Sequence, residues 1–214
     1  MTCDPAGMDE QPKRWARIAV LASGAGSTFR HLVDQSRTDQ LPAEITLLIT
    51  TKAGAPVAQY AGPAGVEHLF LDASELGAAV VDGEICQALI DHEIDLVVLA
   101  GYLRKIGPRT LAAFGGRIIN THPAPLPAFG GPGMYGERVH EAVLTAGLRH
   151  SAATVHQIDA DYDTGPVIAE RLVPVHPDDT AATLQKRVQV AERNLLVSTL
   201  AALIGSPGKG VGDQ

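Results

Sequence analysis

The sequence predicts an α/β fold: a single domain on a mostly parallel, doubly wound sheet, with an antiparallel strand pair near its C-terminal part. Three observations carry that prediction. Short apolar runs alternate along the chain with segments of helical periodicity. The runs are near-continuous rather than alternating, as in strands covered on both faces. The last two runs follow one another with no helix between them, the pattern of an antiparallel pair. The 214 residues suit one domain, and no internal repeat or linker divides them.

The first strand, "IAVLA" (18–22), runs into a glycine-rich turn and a helix over 27–36. "ITLLIT" (45–50) is the second strand, followed by a helix over 56–64 and a short strand at 68–71. A helix over 77–93 precedes "DLVVLA" (95–100), and a helix over 108–113 precedes "RIIN" (117–120). After a helix over 137–146 come strands at 152–158 and 166–175, then a long amphipathic helix over 180–204 with Thr180 as candidate N-cap. Such βα alternation implies right-handed crossovers. Residues 1–14 are expected to form a disordered N-terminal tail, and the glycine-rich 205–214 a flexible C-terminal tail.

Composition narrows the function. A net charge of −7, from 17 Lys and Arg against 24 Asp and Glu, argues against a general nucleic-acid binder. Cys3 and Cys86 are the only cysteines, too few for a disulfide framework or a metal cluster, which suits a reducing cytoplasm. No run is long enough to span a bilayer, and the N-terminus has no secretory apolar segment. The expected partners are small molecules, without nucleic acid or membrane.

Open α/β sheets bind ligands at the carboxyl ends of their strands, so those loops matter most. In "VLASGAGSTF" (20–29), the glycines allow close backbone approach, and the first helical turn with Ser27 suits a phosphate. As a dinucleotide fingerprint it is incomplete. Phe29 stands where a third small residue belongs, and the second strand ends in Thr50, Thr51 and Lys52 rather than an acid for the ribose. In "IINTHPAPLPAFGGPGMYG" (118–136), Asn120 and His122 are two residues apart on an extended segment and share a face, while Pro123, Pro125 and Pro127 stiffen the exit. A non-ionising amide donor beside an imidazole suits a reaction in which a carbonyl oxygen gains charge while a proton moves between nitrogens. In "DADYDTGPVI" (159–168), alternating Asp159, Asp161 and Asp163 lack the pattern of a calcium loop. A carboxylate there is expected to orient His122 or a water, because adjacent parallel strands end at one edge.

Taken together, "SGAGST", "VVLAGYLRKI", "INTHPAPLPAFGG", "DYDTGPVI" and "RVQVAE" resemble, in order and near-spacing, the phosphoribosylglycinamide formyltransferases over residues 16–200. The resemblance implies a Rossmann-like formyltransferase catalytic domain over 15–204, cytoplasmic, monomeric or homodimeric. It implies transfer of a formyl group from 10-formyltetrahydrofolate, as co-substrate, to the amine of 5-phosphoribosylglycinamide in purine synthesis, with no metal. Asn120, His122 and Asp163 fall on the family's catalytic residues; Gly26, Ser27, Thr28, Gln189 and Glu192 on its phosphate and ribose contacts; Leu103, Arg104, Lys105, Ile106 and Asn120 on its folate contacts. Protonated His122 and Asn120 would face the oxyanion, with Asp163 supporting the imidazolium. "PAFGGPGMYG" would be an adjustable wall with Met134 or Tyr135 as apolar contact.

Thr28 departs from the asparagine often found there, residues 72–83 lack an arginine the family often offers to the folate tail, and "GPGMYGERVH" is longer than in many members. His140 in that stretch is a candidate without an assigned role. The trio also resembles methionyl-tRNA formyltransferase and formyltetrahydrofolate hydrolase, which carry an additional domain, and the longer nucleotide-sugar formyltransferases. A non-catalytic nucleotide-binding module using only "SGAGST" would have no need of the trio.

Overall fold

Alternate residues of the first strand divide between two cores. In the computed structural model, which describes residues 14–205, this strand is β1 (Ala16–Ala22). Its Ile18, Val20 and Ala22 join Phe29 and Leu32 of helix α1 (Ser27–Ser36) and Leu196 and Leu200 of α6 (Ala181–Gly205). Its Ala19 and Leu21 join Val81, Ile85 and Leu89 of α3 (Ala78–Asp91) and Phe114 of α4 (Pro108–Phe114). With both faces covered, every position from 18 to 22 must be apolar, which is why the run does not alternate. Each large aliphatic side chain so buried contributes about 1.5–3 kcal/mol. Apart from Arg14 and Gly205, the expected tails lie outside the described residues.

The remaining strands are β2 (Ala43–Thr50), β3 (Glu67–Phe70), β4 (Leu96–Ala100), β5 (Ile118–His122), β6 (His150–Gln157) and β7 (Val167–Pro174). All seven form one sheet in the order β3-β2-β1-β4-β5-β6-β7. The first five are mutually parallel, and β6 and β7 pair antiparallel as expected. Strand β6 also runs antiparallel to β5, although helix α5 (Glu137–Thr145) lies between them in the chain. The antiparallel part is therefore wider than the sequence pattern predicts, because an apolar run carries no information about its direction.

Two of the boundaries that differ do so for local reasons. The helix expected over 56–64 is a 3-10 turn, Pro56–Tyr60, followed by a single-turn α2 (Ala61–Ala64), because Pro63 has no N–H to continue the ladder. Strand β5 continues to His122, two residues beyond expectation, and stops at Pro123. Thr180 caps α6, its hydroxyl accepting from the Thr183 N–H at 3.2 Å.

Candidate active site

A cleft of about 630 Å³ opens at the carboxyl ends of β1, β4 and β5, where the open-sheet rule places it. Asn120 pairs in register with Leu99, the penultimate residue of β4, so the end of β5 overhangs this edge. Strand alternation puts Asn120 and His122 on one face and Thr121 on the other.

His122 is 3% exposed. Its Nε2 lies 2.7 Å from the Phe129 carbonyl, which only accepts, so Nε2 carries the proton. The Nδ1 atom then holds the lone pair, 3.6 Å from an Asp163 oxygen, an ion-pair separation rather than a hydrogen bond. Burial lowers the His122 pKa, opposed by the Asp163 charge and the Phe129 bond. Burial thus favours the neutral ring before a proton arrives. A neutral imidazole with a free nitrogen beside a carboxylate is equipped to accept a proton and to have the resulting charge compensated.

A second histidine holds Asn120. His156 is fully buried and stands opposite Asn120 across the β5–β6 ladder. Its Nδ1 donates to the Gln157 carbonyl at 2.9 Å, so Nε2 accepts from the Asn120 amide at 3.1 Å. That bond uses one amide N–H and leaves the other for the cleft. Burial lowers the pKa of His156 as well. It is a hydrogen-bonded core histidine whose partner belongs to the site.

Asp163 stands between the two rings, its other oxygen 3.6 Å from His156 Nε2. It does not arrive by the expected route. Because β6 is antiparallel to β5, the loop after it begins beside Ile118, whose carbonyl accepts from the Ile158 N–H, and turns back. Gly165 lies so close to the Gln157 carbonyl that an added Cβ would sit 2.1 Å from the oxygen. Asp163 itself is left-handed, φ 58°, a conformation costing roughly 1–2 kcal/mol for a non-glycine residue, though aspartate tolerates it better than most. Its carboxylate accepts from the Gly131 N–H at 3.0 Å, tying the glycine-rich wall to the reacting edge. A Cβ on Gly130 would meet Asp163 Cβ at 2.9 Å, so this approach requires glycine.

At the other end, Gly26, Ser27 and Thr28 line the cleft. Helix α1 starts at Ser27 with no side-chain cap, and its first backbone bond is from Arg30 N–H to the Gly26 carbonyl. The earlier N–H groups therefore have no helical partner and suit an anion. Gln189 and Glu192 of α6 line the same space. The Glu192 carboxyl is pushed up to about 7 by burial, while a hydrogen bond with Thr121 and the Arg193 charge act against the shift.

The expected folate segment divides. Leu103 is exposed and lines the cleft. Arg104 lines a smaller neighbouring pocket with Lys52 and Thr51. Lys105 pairs with Asp161 at 3.0 Å and lies 5.1 Å from the Tyr162 ring centroid, and Ile106 is buried in the α3-side core. Met134 and Tyr135 do line the cleft. So do Tyr102, Thr121, Tyr162, Gln185 and Arg193, to which sequence reasoning gave no role. Helical spacing from Glu192 was the available signal for Gln185, whereas Gln189 was already implied by the resemblance.

The formyl transferase family profile matches residues 16–200. A phosphoribosylglycinamide formyltransferase of Mycobacterium tuberculosis is 42% identical over 193 residues, 90% of this chain and 86% of that protein. The chloroplastic enzyme of the same name from Vigna unguiculata is 41% identical over 89% of this chain, which spans only 61% of that protein's length. The crystal structure of a phosphoribosylglycinamide formyltransferase from Bacillus halodurans superposes with a TM-score of 0.82 at 36% identity, covering 90% of this chain and 97% of its own. By sequence and by fold, the chain belongs to the formyl transferase family, among the phosphoribosylglycinamide formyltransferases.

Proposed function

We propose that this transferase moves the formyl group of 10-formyltetrahydrofolate onto the primary amine of 5-phosphoribosylglycinamide in purine biosynthesis. The observation that supports it most is the convergence of Asn120, His122 and Asp163 at one end of a cleft whose other end is the uncapped α1 turn. The phosphate sits at residues 26–28 and the ribose at Gln189 and Glu192, with the formyl folate entering along Leu103 and the 104–106 backbone. The amine nitrogen attacks the formyl carbon, and the second Asn120 N–H receives the oxygen as it becomes an oxyanion. His122 Nδ1 takes the amine proton, and Asp163 compensates the imidazolium so formed. The proton then passes to N10 of the folate as its bond to the formyl carbon breaks, releasing tetrahydrofolate and the formylated amide. The chemistry is that of small cytoplasmic metabolites, with no nucleic acid or membrane.

The test is folate release from the 10-formyl compound, followed spectrophotometrically with and without 5-phosphoribosylglycinamide, with mass detection of the product. Release that depends on the ribonucleotide and yields its formyl derivative is the expected outcome. Release in its absence would mark a hydrolase instead.

A further inference from the structure

One buried polar atom of the cleft wall has no partner in the fold. His140, on α5, is 1% exposed, and its Nδ1 is buried without a hydrogen bond, yet the residue lines the cleft. An unpaired buried nitrogen costs roughly 1–3 kcal/mol, and in a native protein such a group calls for an explanation. Packing does not supply one. The apolar work of α5 is done by Val139 and Val143, which join Leu184 and Val188 of α6 in a separate cluster.

The environment narrows the chemistry of the missing partner. Burial, reinforced by the nearby His122, holds the His140 pKa at about 4. The ring is therefore uncharged near neutral pH, with one N–H and one lone pair. Such a group compensates no charge, and its pairing of one donor with one acceptor matches a neutral amide, which offers the same pair. Location narrows it further. Val139 and Val143 bind α5 to the helix that carries Gln189 and Glu192, whereas Leu103 belongs to the loop after β4. His140 thus stands on the ribosyl side of the cleft, near the reacting end.

We infer that His140 is a specificity-determining contact for the acceptor: one ring nitrogen hydrogen-bonds the amide joining the glycyl group to the ribose, and so sets the amine before His122. The inference rests on the proposed acceptor and deepens it.

Calorimetric titration of the full chain and of His140→Leu and His140→Gln with 5-phosphoribosylglycinamide and with ribose 5-phosphate tests it, alongside steady-state kinetics and thermal midpoints. His140→Leu should bind the ribonucleotide about tenfold more weakly, the scale of one hydrogen bond, and bind ribose 5-phosphate unchanged. Its KM for the formyl folate should not move. Its midpoint without substrate should hold or rise, since the substitution removes an unpaired buried nitrogen; a structural histidine would behave in the opposite way. His140→Gln, which keeps a donor and an acceptor, should recover most of the affinity. Equal ribonucleotide affinity in His140→Leu and the parent, an equal loss for ribose 5-phosphate, or a rise in the folate KM instead would each overturn the inference. A parent protein that neither binds nor formylates the ribonucleotide would overturn the acceptor assignment itself, and this contact with it.

Discussion

At the scale of single residues, the protonation states make the sharpest expectations. If His122 accepts the amine proton, activity requires its neutral ring, and burial places the acid limb of kcat/KM below the ordinary histidine value of 6.5. Asp163 raises that pKa by its charge, so Asp163→Asn should move the limb still lower and reduce kcat. His122→Ala should lower kcat by roughly 10²–10⁴ with an unchanged far-UV circular dichroism spectrum. A pH profile unaffected by Asp163→Asn, or near-normal turnover in folded His122→Ala, would remove both groups from the mechanism. Glu192 offers a stability test of opposite sign. Its carboxyl is raised from 4.5 to about 7, so between those values the folded chain holds a proton that the unfolded chain has lost. The associated stability is complete below 4.5 and disappears as pH rises through about 7. At 1.36 kcal/mol per pKa unit the whole effect is on the order of 3 kcal/mol. Urea denaturation between pH 4.5 and 8 should show Glu192→Gln gaining on the parent as pH rises; a constant difference would contradict the raised pKa. Some of this was legible beforehand. Asn120 and His122 share a face because strand geometry demands it, whereas His156 meets Asn120 only through a cross-strand register that spans 36 positions. No local pattern encodes such a register.

Single elements carry their own lesson about legibility. Seven strands and the helices between them were readable because a strand buried on both faces has to be apolar throughout and helices announce themselves by period. The direction of β6 was not, since composition is the same read from either end. That direction decides how Asp163 reaches the site, because the 158–166 segment has to leave beside Ile118 and fold back towards His122. Gly165 is where the reversal is tightest, with room for nothing larger than hydrogen against the Gln157 carbonyl. Backbone cannot give way as a flexible side-chain tip can. Gly165→Ala is therefore expected to lower stability by about 1–3 kcal/mol, and to reduce kcat beyond that by shifting Asp163. Denaturant midpoints and kinetics on the remaining folded protein check the two parts separately. An alanine variant with parental stability and turnover would show that the loop adapts without moving the carboxylate.

Across the whole molecule, the cleft exists only when distant parts of the chain are assembled. Residues 26–28 follow β1, Leu103 follows β4, Asn120 and His122 end β5, Asp163 follows β6, and Glu192 lies on α6. No local segment of the unfolded chain reproduces that arrangement, so the proposed substrates should bind the native state alone. Binding then adds RT ln(1 + [L]/Kd) to stability, about 2.7 kcal/mol at a hundredfold excess over Kd. For a chain of this size that corresponds to a rise in thermal midpoint of roughly 5–10 °C. In the proposed reading, acceptor and donor occupy adjoining parts of one cleft, the acceptor along α1 and α6 and the folate along the loop after β4. Each alone should therefore raise the midpoint, and a non-transferable folate analogue added with 5-phosphoribosylglycinamide should raise it further than either. Scanning calorimetry at fixed protein concentration measures this directly. Ligands that bind in titration yet leave the midpoint unmoved would mean that they also recognise the unfolded chain, and mutual exclusion of the two would refute their placement side by side.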